Sequence, residues 1–303
     1  MILLKIQQEE VFGRKVRLKY AMSINYVGRM FAMIINVFFV LIITRKLTIL
    51  EFSAWIILSK FFGYTTIFTA IYVLWTRRAI SRGWNVTKNA LKTATILGGI
   101  VSLIGLAIMF YIAMSFAILV LVVILFAIII FEEYILRALL AVSSGYKPEY
   151  IGFYHIISSS TKVATAYILI LIIRMGLLGA VIALMASKFI ALSVLFWLNR
   201  NMIVSSSYDR EISMKWIQYS WYPLAVNAIT AAVSLDVILV KILTGNDLVI
   251  SYYGVVFFLT YFIASPVEMR SALSAKILAR RNLNDIDEAF WMILLFMLSL
   301  IHI

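Results

Sequence analysis

With 303 residues, 64% hydrophobic, only 14% charged and a mean hydropathy of +1.01, the chain is too apolar for a water-bathed exterior, which excludes an ordinary soluble domain. A formal charge of +13 comes with no Cys and only two His, His155 and His302. That leaves no disulfide framework, no Cys/His metal cluster and little material for His-based acid–base catalysis. The expectation is an all-α, polytopic membrane helical bundle that is not an enzyme and takes no cofactor, so the unit to count is the apolar run of about 20 residues that crosses the hydrocarbon.

The first residues, MILLKIQQEE, lack the basic start, apolar core and small-residue site of a cleaved signal peptide. Apolar runs between charged or turn-rich breaks then place spans at 20–43, 53–75, 93–114, 117–140, 150–173, 177–198, 217–240 and 249–269, with a ninth beginning at 289. The ninth run, 289–303, is short for a span and has no closing charged flank, so the chain is expected to be C-terminally truncated.

Counted with the connections and the span ends next to them, nineteen Lys and Arg fall on one side: Lys5, Arg14, Lys15, Arg17, Lys19, Arg77, Arg78, Arg82, Lys88, Lys92, Arg137, Lys147, Arg200, Arg210, Lys215, Arg270, Lys276, Arg280 and Arg281. The opposite connections hold four, Arg45, Lys46, Arg174 and Lys241. This bias makes the chain a multi-pass protein of the cell membrane with a cytoplasmic N-terminus. It also reads the net charge as insertion topology and contact with membrane lipids, with no nucleic-acid partner. Trp75, Trp197, Trp216 and Trp221, with Trp55 at the other side, fit interfacial belts.

A repeat relates the first and seventh spans. Asn25, Arg29, Ala32 and Asn36 share one helical face, and Pro223, Asn227, Thr230 and Ser234 repeat it 198 residues later. Leu47-Thr48 before Glu51 and Trp55 corresponds to Leu243-Thr244 before Asp247 and Tyr252-Tyr253. The polar run 205–210 marks a break, dividing the chain into an N-terminal six-helix lobe (1–198), a cytoplasmic linker (199–216) and a partial C-terminal lobe (217–303). Small-residue stripes, Ser59, Gly63, Thr66 and Ala70 in the second span and Gly98, Ser102 and Gly105 in the third, are expected to pack helices closely.

The motifs Arg45-Lys46-Leu47 and Glu51-Phe52-Ser53, followed by Pro223, Asp236, Gly245 and Tyr252-Tyr253-Gly254, resemble the Wzx-type polysaccharide exporters. These are lipid-linked oligosaccharide flippases of the multidrug/oligosaccharidyl-lipid/polysaccharide superfamily, and Ser53 departs from their usual Gly. The resemblance implies two six-helix lobes around a central cavity, the second lobe incomplete here, and an acidic site at Asp236. An alternative role for Asp236 is pairing with Arg45 or Lys46.

Four cations lie inside spans: Arg29, Lys60, Lys162 and Lys188. At a lipid-facing helix centre each costs about 2.5–3.5 kcal/mol, so they are expected to line a cavity, with Lys60 either in it or snorkelling. Lys162 shares a face with His155, Ser158 and Thr165, and Arg29 with Asn25 and Asn36; Glu132 and Glu133 are the deep acids of this half, and Glu133 pairs with Arg137 at i, i+4. The surplus positive charge suits an anionic lipid-linked sugar carrying phosphate. The candidate site is therefore Asn25, Arg29, Asn36, Lys60, Lys162, Lys188 and Asn227, with Asp236 secondary. The expected function is flipping of a polyprenyl-phosphate-linked oligosaccharide to the outer leaflet by alternating access, beside other polysaccharide assembly proteins. Alternatives are a cation-coupled multidrug antiporter of the same superfamily and an integral-membrane cell-envelope glycosyltransferase. No phosphate-binding loop for ATP hydrolysis is present in the sequence.

Overall fold

The computed structural model describes residues 18–116 and 119–233, with residue 240 and residues 243–244, 248–253 and 255–256 beyond them. Among these residues there are helices and no strands. They comprise α1 (Leu18–Lys46), α2 (Ile49–Thr65), a 3-10 turn (Thr66–Thr69), α3 (Ala70–Ser81), α4 (Thr87–Phe116), α5 (Val120–Tyr146) and α6 (Glu149–Ala166). A π-helical turn (Tyr167–Ile172), α7 (Gly176–Leu198), α8 (Arg200–Ser205), α9 (Arg210–Tyr219) and α10 (Trp221–Val233) follow. Five of the described helices are long and apolar enough to cross a membrane: Ser23–Lys46, Ile49–Ser81, Thr87–Tyr111, Glu149–Ile172 and Gly176–Leu198. α5 is long enough too, at 27 residues, but it carries Glu132, Glu133 and Arg137.

All six expected spans of the first lobe therefore coincide with helices, though the helices outrun them. The clearest case is the second, expected over 53–75 and observed over Ile49–Ser81. The apolar length marks the hydrocarbon; long, good helix formers such as Arg77 and Arg78 carry the helix on into the headgroup region. The eighth and ninth spans and Asp236 lie outside the described residues or nearly so.

α5 is the centre of the lobe, packed between α4 and α7 with α3 across it. Its Tyr134 hydroxyl donates to the Thr65 carbonyl (2.6 Å), and the Tyr72 hydroxyl of α3 donates to the Tyr134 carbonyl (2.7 Å). The first meets a carbonyl at the junction of α2 and the 3-10 turn, and the second adds a donor to a carbonyl inside α5, so both polar hydroxyls are paired in an apolar setting. The aromatic belt is only partly as expected. Trp197 and Trp221 are exposed, whereas Trp55 is buried edge-on against Phe39 at 5.7 Å and Trp216 is buried under the lobe.

α1 lies on α6, and the crossing point is a pair of glycines. A Cβ on Gly28 would sit 2.5 Å from the Gly152 carbonyl oxygen, and one on Gly152 would sit 2.6 Å from the Ile24 carbonyl oxygen. Between membrane helices, where lipid competes with side-chain contacts, such backbone proximity is a main source of association. The stripes expected to do this divide. Gly98 packs under Tyr134 and Gly105 under Ile130, but Gly63 faces open space, with nothing within 4 Å of a Cβ. Residue size alone does not say which neighbour a small residue meets.

Gly28→Ala or Gly152→Ala is expected to lower the stability of the detergent-solubilised protein by about 1–3 kcal/mol, because backbone must move, while Gly63→Ala stays within about 0.5 kcal/mol. Thermal melting followed by tryptophan fluorescence distinguishes the two.

Candidate functional site

Two ends of the lobe can be told apart by charge. Arg77, Arg78, Arg82, Lys88, Lys147 and Arg200 gather at the basic end; Arg45, Lys46 and Arg174 mark the far end. Lys162 is ten residues before the end of the π turn and Lys188 twelve after the start of α7. Glu133 is thirteen residues into α5, so all three lie about 15–20 Å from the far end, deep in the hydrocarbon.

The structure brings these side chains together. The Lys188 ammonium is paired with one Glu133 carboxylate oxygen, and Arg137 Nε donates to the other at 2.7 Å. Lys188 also lies 4.7 Å from the centre of the Phe62 ring, and Lys162 4.9 Å from that of Phe39, so each cation rests on an aromatic face. Lys162 is within electrostatic reach of Lys188, and Glu132 is within reach of both Lys188 and Glu133. The i, i+4 pair of Glu133 with Arg137 is as the sequence suggests. The second cation on Glu133 comes from α7, 55 residues away, and no local spacing announces it. Glu132 keeps one buried carboxyl oxygen without a hydrogen-bond partner among the described residues.

The α1 stripe faces α6. Asn36 Nδ2 donates to Ser159 Oγ at 3.3 Å, and Arg29 lies within electrostatic reach of His155. Both side-chain atoms of Asn25, and Asn36 Oδ1, are buried without a hydrogen-bond partner among the described residues. A buried amide left in this way costs about 1–3 kcal/mol per group unless water or a ligand meets it. Asn25, Arg29, Asn36, Lys162 and Lys188 thus form one interior strip across α1, α6 and α7. Lys60 is buried on α2. Asn227 stands elsewhere: from α10 its Nδ2 donates to the Ile67 carbonyl at 3.4 Å, at the 3-10 turn that interrupts the second span. Asp236 lies outside the described residues.

Sequence reasoning missed Ser159 as the partner of Asn36, Phe39 and Phe62 as the faces under the two lysines, and the nearness of Glu132 to Lys188. It also missed what Glu51 does. One Glu51 oxygen closes the capping box of α2, accepting from Thr48 N (2.9 Å) while Thr48 Oγ1 accepts from Glu51 N (3.3 Å). The other oxygen accepts from Leu177 N (3.1 Å) at the start of α7. One carboxylate therefore serves the positive ends of two helices. Gly176 permits this: its φ is +54°, and a Cβ there would fall 2.1 Å from Glu51 Oε1. Glu51 is thus a tie between two spans.

The segment expected as a linker is folded onto the lobe. Asn85 Nδ2 donates to the Met202 carbonyl (2.8 Å) and Ser205 Oγ (2.9 Å), Lys88 N donates to Ser206 Oγ (3.0 Å), and Asp209 N donates to Asn89 Oδ1 (3.2 Å). Asn89 Nδ2 reaches Ser213 Oγ at 3.0 Å, and Trp75 Nε1 donates to Ser220 Oγ at 3.0 Å. Ser205, Ser206 and Asp209 of the polar run supply three of these ties, and Met202, Ser213 and Ser220 around it supply the rest.

Compared with known proteins, the sequence matches no family profile and no curated protein. The fold does match. An outward-facing multidrug resistance MATE family transporter of the MOP superfamily superposes with a TM-score of 0.68 and 15% identity, over 94% of this chain and 72% of its own. A mutant of a Vibrio cholerae MATE transporter gives 0.65 and 12%, over 86% and 65%. A MOP superfamily transporter from Pyrococcus furiosus, described as having a binding pocket of reverse polarity that suggests a different function, gives 0.63 and 14%, over 92% and 69%. The chain spans 65 to 72% of the length of these three and has their helical fold.

Glu133→Gln leaves Lys188 and Arg137 without their carboxylate and is expected to cost about 3–5 kcal/mol, whereas Glu133→Leu combined with Lys188→Met recovers most of it. Melting of the purified variants checks both. Glu51→Ala is expected to cost about 1–2 kcal/mol, since two helix starts lose a cap.

Proposed function

We propose that the chain is a transporter that carries an anionic lipid-linked sugar across the membrane by alternating access, with its basic end in the cytoplasm. The observation that carries this reading is the imbalance of charge inside the described lobe. Lys188 and Arg137 share the one carboxylate of Glu133, with Lys162 within reach of Lys188 and Glu132 beside them, Arg29 and Lys60 stand in the same lobe, and on α1 the Asn25 amide and Asn36 Oδ1 have no hydrogen-bond partner among the described residues. A phosphate or pyrophosphate at the lipid–sugar junction meets the excess cations, and the amides suit sugar hydroxyls or the waters that hydrate them. The similarity of the motifs around Glu51 and Pro223 to the polysaccharide exporters supports the same substrate class. For the Pyrococcus furiosus neighbour a reversed polarity of the binding pocket is described as suggesting a different function, which is in keeping with a reading based on the sign of the interior charge.

The second reading, a cation-coupled multidrug antiporter, is favoured by one observation, the buried carboxyl oxygen of Glu132 that has no hydrogen-bond partner among the described residues. Against it stands the sign of the surrounding field: a cationic drug entering this strip meets Arg29, Lys162 and Lys188.

The test is transfer of a pyrophosphate-linked lipid sugar by the full chain reconstituted in vesicles. Arg29→Ala with Lys162→Ala is expected to insert normally and to slow transfer about tenfold or more, as the loss of charge-assisted contacts of about 1.5–3 kcal/mol requires. Unchanged transfer by this variant overturns the proposal. Glu132→Gln is expected to leave transfer in place, while abolition of cationic-drug efflux by the same change favours the antiporter.

A further inference from the structure

The segment between the lobes carries a second feature, on α9. Its ten residues present three distinct faces by helical angle. Ser213 and Trp216, continued by Ser220, are buried against α3 and α4 and tied there through Asn89 and Trp75, so the rotation of the helix about its axis is fixed. About 100° around from that face, Met214 and Ile217 form an exposed apolar pair, 48% and 49% accessible, and Trp221, the first residue of α10, is exposed next after it. Opposite the docked face lie Glu211, Lys215 and Gln218, all exposed. A helix standing free in water has no use for the middle face, and one crossing the hydrocarbon has none for the third.

The position supplies the occupant. α9 packs on the start of α4 through Asn89 and Thr93 and on α3 through Ile71 and Trp75, next to where the apolar run of the second span gives way to Arg77 and Arg78. Exposed Trp84 and Trp197 flank that level, and Lys88, Lys92, Arg200 and Arg210 are exposed beside them. This is the arrangement of a helix lying in the plane of a membrane surface, with apolar side chains below the headgroups and basic ones among them. We propose that α9 is an interfacial helix whose Met214 and Ile217, followed by Trp221 at the start of α10, are seated in the leaflet at the basic end and whose surrounding Lys and Arg bind anionic phospholipid headgroups. The first helix of the second lobe, α10, starts two residues after α9 ends, so that lobe leaves the membrane surface from a fixed point.

The chain has no Cys, so single cysteines report without background. Met214→Cys, Ile217→Cys, Glu211→Cys and Gln218→Cys are made in the full chain, labelled with a bimane fluorophore and reconstituted in phosphatidylethanolamine vesicles with and without phosphatidylglycerol. With phosphatidylglycerol present, nitroxide carried on lipid is expected to quench the labels at 214 and 217, and aqueous iodide those at 211 and 218. Without it, lipid quenching at 214 and 217 is expected to fall. Iodide quenching at all four positions overturns the proposal. So does protection of 214 and 217 from both quenchers, which marks a protein-covered face, and so does lipid quenching indifferent to phosphatidylglycerol, which removes the headgroup part. Transfer of lipid-linked sugar by the same proteins is read separately, so failure of this proposal and of the transport reading are distinguishable.

Discussion

The lobe is organised around the problem of keeping charge inside hydrocarbon. Glu133 sits at the middle of the bundle and is shared by Lys188 from α7 and Arg137 from its own helix. In a low-dielectric interior, neutralising one cation with one carboxylate is an ordinary arrangement; sharing one carboxylate between two leaves the group positive. Aromatic faces at Phe39 and Phe62 spread part of that excess, and Glu132 lies close enough to offset more. Because α5 carries the carboxylates, it has to be central, and the packing of α4, α7 and α3 around it follows.

A second constraint keeps the polar stripe of α1 facing inward. Gly28 and Gly152 allow backbone to meet backbone, and this fixes both the depth and the rotation of α1 on α6. Asn36 reaches Ser159 and Arg29 faces His155 as a consequence. At the far end Glu51 ties the start of α2 to the start of α7, so the helices that carry Lys60 and Lys188 begin from a common point. Packing, capping and charge placement therefore converge on the same interior strip.

Much of this was legible in sequence, and what was not has a consistent cause. Span number and position in the first lobe follow from apolar run length, and the inward face of α1 follows from the spacing of Asn25, Arg29 and Asn36. The Glu133–Arg137 pair follows from helical periodicity. What escapes is everything set by contacts between distant segments. Lys188 meets Glu133 across 55 positions, Glu51 meets Leu177 across 126, and Gly28 meets Gly152 across a similar distance. Gly63 shows the reverse error, since a small residue looked like a contact and has none. Asn227 belonged to the right kind of stripe, yet its amide is used on backbone at the 3-10 turn.

That last contact bears on how the molecule deforms. The second span is a single rod in outline, but its hydrogen-bond ladder changes pitch at Thr66–Thr69, where Thr65, Thr66 and Thr69 bond back to carbonyls three residues earlier. A rod weakened at one level is compliant there and stiff on either side. The Ile67 carbonyl at that level is held by Asn227, a side chain of the helix that opens the second half of the chain. Load applied to α10 thus reaches the second span at the level where its pitch changes, between the half that bears Lys60 and the half that Tyr72 ties to α5.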